Sequence, residues 1–219
     1  GERVGTLGVM NAFSLHPVKA MTTGEGGMVS TDDSALASVM RRFRNHGLDT
    51  DHNERSAESW RYDMVALGYN YRLTDMGCAL GLTQLQKLPG WIARRNEVAH
   101  QYTEAFAGLP NVEPLSVRPG VEHAYHLYVL RFDLNRLSVD RSVLFRALRA
   151  EGIGVNVHYL PVYLHPHYQR VLGTRPGHCP NAEEAYGRIL SLPMFPAMTD
   201  RDVADTVEAV RKVVVEYGC

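Results

Sequence analysis

The stretch that decides the fold is residues 13–27, which read FSLHPVKAMTTGEGG. It overlaps an apolar segment, residues 4–15, whose small and hydrophobic composition predicts a buried strand. Lys19 follows that strand at the start of a loop rich in Thr and Gly. Such a position anchors the lysine backbone. A lysine becomes a Schiff-base nucleophile when burial or neighbouring positive charge destabilises its ammonium group.

The residues around Lys19 suggest a ligand, although the spacing alone does not require one. Ser14 supplies a hydroxyl that could bind a phosphate, and Gly24 with Gly26 permits positive φ angles and close backbone approach. A P-loop is excluded because its glycines precede the lysine, whereas Gly24 follows Lys19. The plainer interpretation, a solvated lysine beside a glycine turn, stays open on spacing alone.

Outward from this stretch, strand and helix patterns follow one another. Residues 28–31 predict a short strand, and Asp32, Asp33 and Ser34 are cap candidates for a helix ending near residues 45–47. Residues 48–63 predict an exposed loop. The pattern of residues 74–109 is mainly helical, with a break expected at Pro89-Gly90.

The last part of the chain reads as an α/β or α+β layer arrangement. Strand-like patterns occupy residues 124–132 and 153–160, and residues 140–150 predict an amphipathic helix. In the final helix Thr199 and Asp202 can form the cap. Four valines would share its apolar face: Val203, Val207, Val210 and Val214.

Composition narrows the class of protein. The 219 residues are 45% hydrophobic and 21% charged, so the chain can bury a sizeable core. The net charge of −1 provides no basic field for nucleic acid or an anionic membrane. Three cysteines without CxxC spacing argue against disulfides or structural zinc and favour a cytoplasmic location. The His-rich residues 158–167 are not expected to bind a metal, because a rigid proline separates His165 from His167.

Residues 13–27 closely resemble the lysine motif of the DegT-type sugar aminotransferases, approximately F-S-F-H-x-x-K-x-x-x-x-G-E-G-G, with Leu15 in place of the usual aromatic residue. These are pyridoxal-phosphate (PLP) enzymes of fold type I. Residues 68–85, GYNYRLTDMGCALGLTQL, resemble the family block G-x-N-x-R-M-x-x-x-x-A-A-x-G-x-x-Q-L, and residues 95–102, RNEVAHQY, resemble R-x-x-x-A-x-x-Y. Three C-terminal blocks also match in order: AYHLYVLR, VHYLPVY and LSLPMFPAMTD.

The resemblance implies an α/β chain that forms the C-terminal part of a fold-type I PLP-dependent transferase. Residues 1–90 would be the remnant of the large, cofactor-binding domain and its sheet. Residues 91–219 would be the small α+β C-terminal domain, beginning with a linking helix. In this family a phosphate-binding Gly-Thr turn, a ring-stacking aromatic residue and a ring-pairing aspartate lie upstream of the lysine. The chain is therefore expected to be part of a longer enzyme, to expose apolar strand faces, and to be poorly soluble or inactive alone.

The resemblance also implies roles for individual residues. Lys19 would be catalytic: it would hold PLP as a Schiff base and move a proton between the amino donor and the cofactor. Ser14 would hydrogen-bond the PLP phosphate. Asn70 would reach the phosphate in the neighbouring subunit, which makes a homodimer with shared active sites. The plainer alternative for Asn70 is a turn residue.

Further residues would bind the substrate. His16, Tyr71 and Arg72 would lie near it, and His158 and Tyr159 would belong to the sugar-nucleotide side of the cleft. Arg72 could instead pair with Asp75 on a helix surface. For His158 and Tyr159 a structural role is an equal alternative.

The implied reaction moves the amino group of L-glutamate to a nucleotide-linked 4-keto-6-deoxy sugar. The lysine stretch is especially similar to enzymes that make UDP-4-amino-4,6-dideoxy-N-acetyl-β-L-altrosamine on the way to pseudaminic acid. The competing hypothesis is a non-catalytic truncated paralogue that serves dimerisation or sugar-nucleotide binding. The intact set of Ser14, Lys19 and Asn70 favours the enzyme, since a paralogue free of catalytic demand is expected to lose its lysine.

Overall fold

The computed structural model describes residues 1–49 and 62–219, which form two compact units, Gly1–Leu88 and Pro89–Cys219. Most of the predicted loop at residues 48–63 lies outside the described residues. The assignment of residues 1–90 and 91–219 to a large and a small domain stays a prediction.

An antiparallel hairpin opens the N-terminal unit. Strand β1 (Asn11–Ser14) pairs with β2 (Gly27–Ser30), so that Phe13 lies opposite Met28. The short strand predicted at residues 28–31 is therefore confirmed, with a shift of one residue.

The prediction of a buried strand over residues 4–15 is wrong. Only Asn11–Ser14 is a strand, and its side chains are mostly exposed. The reason is that β1 and β2 form a sheet of only two strands among the described residues, so no packed layer covers them. The expected exposure of apolar strand faces is found: Phe13 of β1 is 38% exposed and Met28 of β2 59%.

Two helices complete this unit. Helix α1 (Ser34–Phe43) is capped by Asp33, whose carboxylate accepts from the backbone N–H groups of Ala35 and Leu36. The predicted cap is thus confirmed. Helix α2 (Asp75–Phe106) begins here and continues into the C-terminal unit.

The break predicted at Pro89-Gly90 is wrong, because α2 runs through both residues. Pro89 lacks the N–H that would bond the carbonyl of Leu85, so one rung of the helix is missing. The hydrogen bonds of the turns on either side suffice to carry the helix past that gap.

The C-terminal unit contains a three-stranded antiparallel sheet in the order β3 (Val112–Pro114), β4 (Tyr128–Phe132) and β5 (Ile189–Leu192). Its helices are α3 (Arg141–Ala150), α4 (Pro166–Leu172), α5 (Pro180–Arg188) and α6 (Asp200–Glu216). The helices predicted at 140–150 and after Thr199 are confirmed, including the reciprocal hydrogen bonds between Thr199 and Asp202.

The core of this unit forms where the helices cover the sheet. Leu130 of β4 and Leu190 of β5 are fully buried, as are Leu144 and Leu148 of α3. The four valines predicted to share the apolar face of α6 are all buried. Burial of such side chains stabilises the fold by about 1.5–3 kcal/mol each.

The strand predicted over residues 153–160 is wrong. Val155 N–H donates to the carbonyl of Ile153 at 2.9 Å, a tight turn that interrupts the extended path. Only Asn156 pairs with the sheet, as an isolated bridge to Ser191. Apolar residues do alternate over residues 153–160, but a partly buried segment that is not a strand can show the same alternation.

Candidate active site

Lys19 lies in the loop that joins β1 to β2. The backbone of buried Leu15 organises this loop: its N–H donates to Gly26 O at 2.9 Å, and its carbonyl accepts from Thr23 N at 3.1 Å and Thr22 Oγ1 at 2.7 Å. Lys19 N–H donates to His16 O at 2.9 Å. The backbone on both sides of Lys19 is therefore held by hydrogen bonds within the loop.

The same loop packs on the first turns of α2. Thr22 N–H donates to Gln84 Oε1 at 2.9 Å. Thr23 is buried against two helix glycines: a Cβ added at Gly81 would lie 2.9 Å from Thr23 Cγ2, and one at Gly77 3.1 Å from Thr23 O. The absence of side chains on this helix face lets the loop approach closely.

These contacts escaped the sequence analysis. Gly77 and Gly81 are one helical turn apart, a spacing that marks a face approached by another segment. That signal could have indicated a packing partner for α2, although not which one. Thr22, Thr23 and Gln84 join the residues that determine where Lys19 lies.

Replacing Gly26 with alanine is expected to destabilise the lysine loop. Gly26 has a φ of +148°, and an added Cβ would lie 2.5 Å from Leu73 Cδ2 and 2.6 Å from Thr23 Oγ1. Backbone strain and steric overlap together should lower the unfolding free energy of this unit by about 2–3 kcal/mol. Urea denaturation measures the effect. Gly90→Ala is the control, because its Cβ meets nothing within 4 Å; an equal loss in both variants would contradict the prediction.

The side chains near Lys19 are accessible. Lys19 itself is half-buried, Ser14 and His16 are exposed, and His16 Nε2 lies 3.7 Å from Glu25 Oε1. Ser14 Oγ accepts from His16 N–H at 3.4 Å, so the Ser14 hydroxyl proton stays available to donate. The arrangement fits PLP at this place: an amine that can bond an aldehyde, and a hydroxyl that can donate to a phosphate oxygen.

Asn70, Tyr71 and Arg72 lie on a segment bound to the end of α1. Asn70 forms an isolated bridge with Asn45, and Tyr71 N–H donates to Arg44 O at 2.9 Å. Arg72 Nη1 donates to Asn45 Oδ1 at 2.8 Å. The partner is thus Asn45 and differs from Asp75, with which Arg72 was expected to pair if its role were structural. All three side chains are exposed. Their backbone is held in place while the side chains stay accessible to a ligand.

The other two predicted residues, His158 and Tyr159, belong to the C-terminal unit. His158 Nδ1 lies 2.8 Å from Ser191 Oγ, and burial lowers the pKa of the imidazole. Tyr159 is 65% exposed, with its ring centroid 4.5 Å from that of His158. The structure thus places Ser14 at the end of β1 and His16 and Lys19 in the loop that follows it. Asn70–Arg72 lie on a second segment, and His158 and Tyr159 lie in the other unit.

Among residues 1–49 and 62–219, no group of three or more His, Cys, Asp or Glu side chains is placed to hold a metal ion. No helix in the same described ranges has the length and apolar character needed to cross a membrane.

Comparison with known proteins identifies the class. Residues 1–211 match the DegT/DnrJ/EryC1/StrS aminotransferase family, so the chain belongs to this family. The spore coat polysaccharide biosynthesis protein SpsC of Bacillus subtilis is 42% identical over 214 residues, which cover 96% of this chain and 55% of SpsC.

Solved structures agree with this assignment. Helicobacter pylori PseC, an aminotransferase involved in the biosynthesis of pseudoaminic acid, is 30% identical with a TM-score of 0.89, over 99% of this chain and 56% of PseC. The PLP form of the sugar aminotransferase Spr1654 from Streptococcus pneumoniae is 29% identical with a TM-score of 0.88, over 99% of this chain and 54% of Spr1654. The chain therefore spans about half the length of its relatives. The predicted fold class is confirmed: this is an α/β chain that makes up part of the sugar-aminotransferase fold.

Proposed function

We propose that this chain is the lysine-bearing part of a PLP-dependent sugar aminotransferase, with Lys19 as its catalytic residue. The observation that carries the proposal is the lysine loop. Its backbone is held by Leu15, and it is packed on α2 through Thr23 and two glycines. Membership of the aminotransferase family supports the proposal.

Each residue has a defined task in this proposal. When bound, PLP supplies the electron sink that makes amino-group transfer feasible. Lys19 Nζ holds the cofactor covalently and, once released, carries a proton to and from the carbon that bears the amino group. Ser14 Oγ donates to the phosphate, while Asn70 does so from the neighbouring subunit of a homodimer. His16, Tyr71 and Arg72 orient the substrate.

The proposed substrates are L-glutamate and a nucleotide-linked 4-keto-6-deoxy sugar, which becomes the 4-amino sugar. Similarity to PseC and SpsC supports a nucleotide sugar destined for a surface polysaccharide or a related glycan. More specifically, we propose that the 4-amino sugar is an intermediate in the biosynthesis of pseudaminic acid. His158 and Tyr159 would bind the nucleotide-sugar side. A cytoplasmic location also belongs to the proposal, supported by three exposed free cysteines.

The assay uses the complete natural polypeptide that carries these residues, with PLP, glutamate and UDP-linked 4-keto-6-deoxy-N-acetylhexosamine. Amino sugar and 2-oxoglutarate should form in equal amounts, and Lys19→Ala should lower the rate by at least about 10²–10⁴-fold. Lys87→Ala, on an exposed turn of α2, is the matched control. If only a 3-keto sugar is aminated, the proposed 4-keto substrate is wrong and the aminotransferase activity stands. Failure to aminate any nucleotide sugar would overturn the proposed function.

A further inference from the structure

His158 lies between two polar neighbours of the C-terminal unit. Its Nδ1 is 2.8 Å from Ser191 Oγ, and its Nε2 is 3.4 Å from Asn156 Nδ2. Ser191 is 3% exposed and lies in β5 between the buried residues Leu190 and Leu192. The backbones of Asn156 and Ser191 also pair with each other, through bonds of 2.8 and 3.1 Å. Both partners of the imidazole are thus fixed by the sheet.

The orientation of the Asn156 amide decides which imidazole nitrogen carries the proton. Asn156 Oδ1 accepts from Val157 N–H at 2.8 Å, so the amide nitrogen is the atom that faces His158 Nε2. An amide NH₂ group can only donate, and Nε2 must therefore be the unprotonated acceptor. The proton then lies on Nδ1, which donates to Ser191 Oγ.

The charge state agrees with this assignment. Burial lowers the pKa of His158, which favours the neutral ring. A protonated ring would also turn a second N–H toward the Asn156 NH₂ group, donor against donor. At 3.4 Å the contact with Asn156 is long, which leaves the Nε2 lone pair able to accept a stronger bond.

We propose that His158 is a neutral hydrogen-bond acceptor of fixed tautomer, with Ser191 and Asn156 as its positioning residues. Its ligand group is a donor, such as a sugar hydroxyl or an acetamido N–H, and not a phosphate. The identity of the ligand rests on the proposed function, whereas the tautomer does not. This residue would then select the sugar part of a nucleotide sugar.

The tautomer is tested by long-range ¹⁵N–¹H correlation spectra of the full chain labelled in its histidines, with His158→Gln for assignment. The wild type should show a protonated Nδ1 and an unprotonated Nε2. Asn156→Asp places a carboxylate acceptor opposite Nε2 and should move the proton there, while Ser191→Ala leaves the Asn156 amide in place and should keep the proton on Nδ1. A protonated Nε2 in the wild type, or an unchanged tautomer in Asn156→Asp, overturns the proposal.

The ligand is tested by calorimetry with UDP and UDP-N-acetylglucosamine on the complete polypeptide. One lost neutral hydrogen bond corresponds to about a 2–10-fold weaker affinity. His158→Gln should show that loss for UDP-N-acetylglucosamine and none for UDP. Equal loss for both probes, or no loss for either, overturns the assignment to the sugar. If the wild type binds neither probe, both the nucleotide-sugar ligand and the proposed function are wrong. The tautomer is then still decided by the spectra, which do not depend on the ligand.

Discussion

Replacing Lys19 with alanine is expected to abolish the visible absorbance band that PLP acquires when it is bound by the protein. The sequence contains three lysines, Lys19, Lys87 and Lys212, so few amines compete for the cofactor. Lys212 Nζ is held by both carboxylate oxygens of Glu151, at 2.7 and 2.8 Å. That hydrogen bond raises the pKa of Lys212 and keeps it protonated, hence a poor nucleophile. Lys87 is exposed on α2, whereas Lys19 lies in a loop with a nearby hydroxyl.

The measurement is an absorbance titration with PLP on the wild type and on single variants. Lys19→Ala and Lys19→Arg should both lose the band, because arginine keeps the charge but cannot bond the aldehyde. Lys87→Ala and Lys212→Ala are the matched controls and should keep it. Survival of the band in Lys19→Ala, together with its loss in either control, would assign the cofactor to a different lysine.

Replacing Arg95 with alanine is expected to destabilise the C-terminal unit strongly. Arg95 lies on α2 and is only 5% exposed. Its Nη1 donates to Tyr125 O and Met194 O, both at 2.9 Å, and more weakly to His126 O at 3.4 Å. One guanidinium thereby ties α2 to the segment before β4 and to the segment after β5. Its removal leaves buried carbonyl groups without a donor.

The expected loss is about 3–4 kcal/mol of unfolding free energy, measured by urea denaturation. Arg95→Lys should recover only part of it, since one ammonium group cannot reach all these carbonyls in the same geometry. Arg146→Ala, at an exposed position of α3, serves as the control and should change stability by less than about 0.5 kcal/mol. A loss below 1 kcal/mol in Arg95→Ala would show that water replaces the guanidinium.

Local signals predicted local structure well. Asp33 begins α1 and Thr199 with Asp202 begins α6, because a cap needs only neighbouring residues and its sequence pattern contains the whole interaction. The valine face of α6 was likewise correct, since a helical period of 3.6 directly specifies which side chains share a face.

Predictions that depended on a distant partner were less successful. Residues 4–15 have the composition of a buried strand, yet burial requires a packed layer that composition cannot supply. Residues 153–160 alternate like a strand but turn at Val155. Pro89 has the chemistry of a helix breaker, although the hydrogen bonds around it keep α2 continuous.

The candidate site divides in the same way. Lys19 and Ser14 could be proposed from the sequence because the lysine motif is specific and nearly unbroken, and Asn70 because it lies in a second matching block, residues 68–85. The packing of Thr23 against Gly77 and Gly81 could not be predicted, since it joins residues far apart in the chain. The contact of His158 with Ser191 was hidden for the same reason: it depends on the bridge between Asn156 and β5.

The central claim, that Lys19 holds PLP, is tested most directly by borohydride reduction of the PLP-treated complete polypeptide and mass-spectrometric mapping of the labelled peptides. The account predicts one stable modification, on the peptide that contains Lys19, with Lys87 and Lys212 unlabelled at equimolar cofactor. Labelling spread evenly over the three lysines, or absent from Lys19, would contradict it.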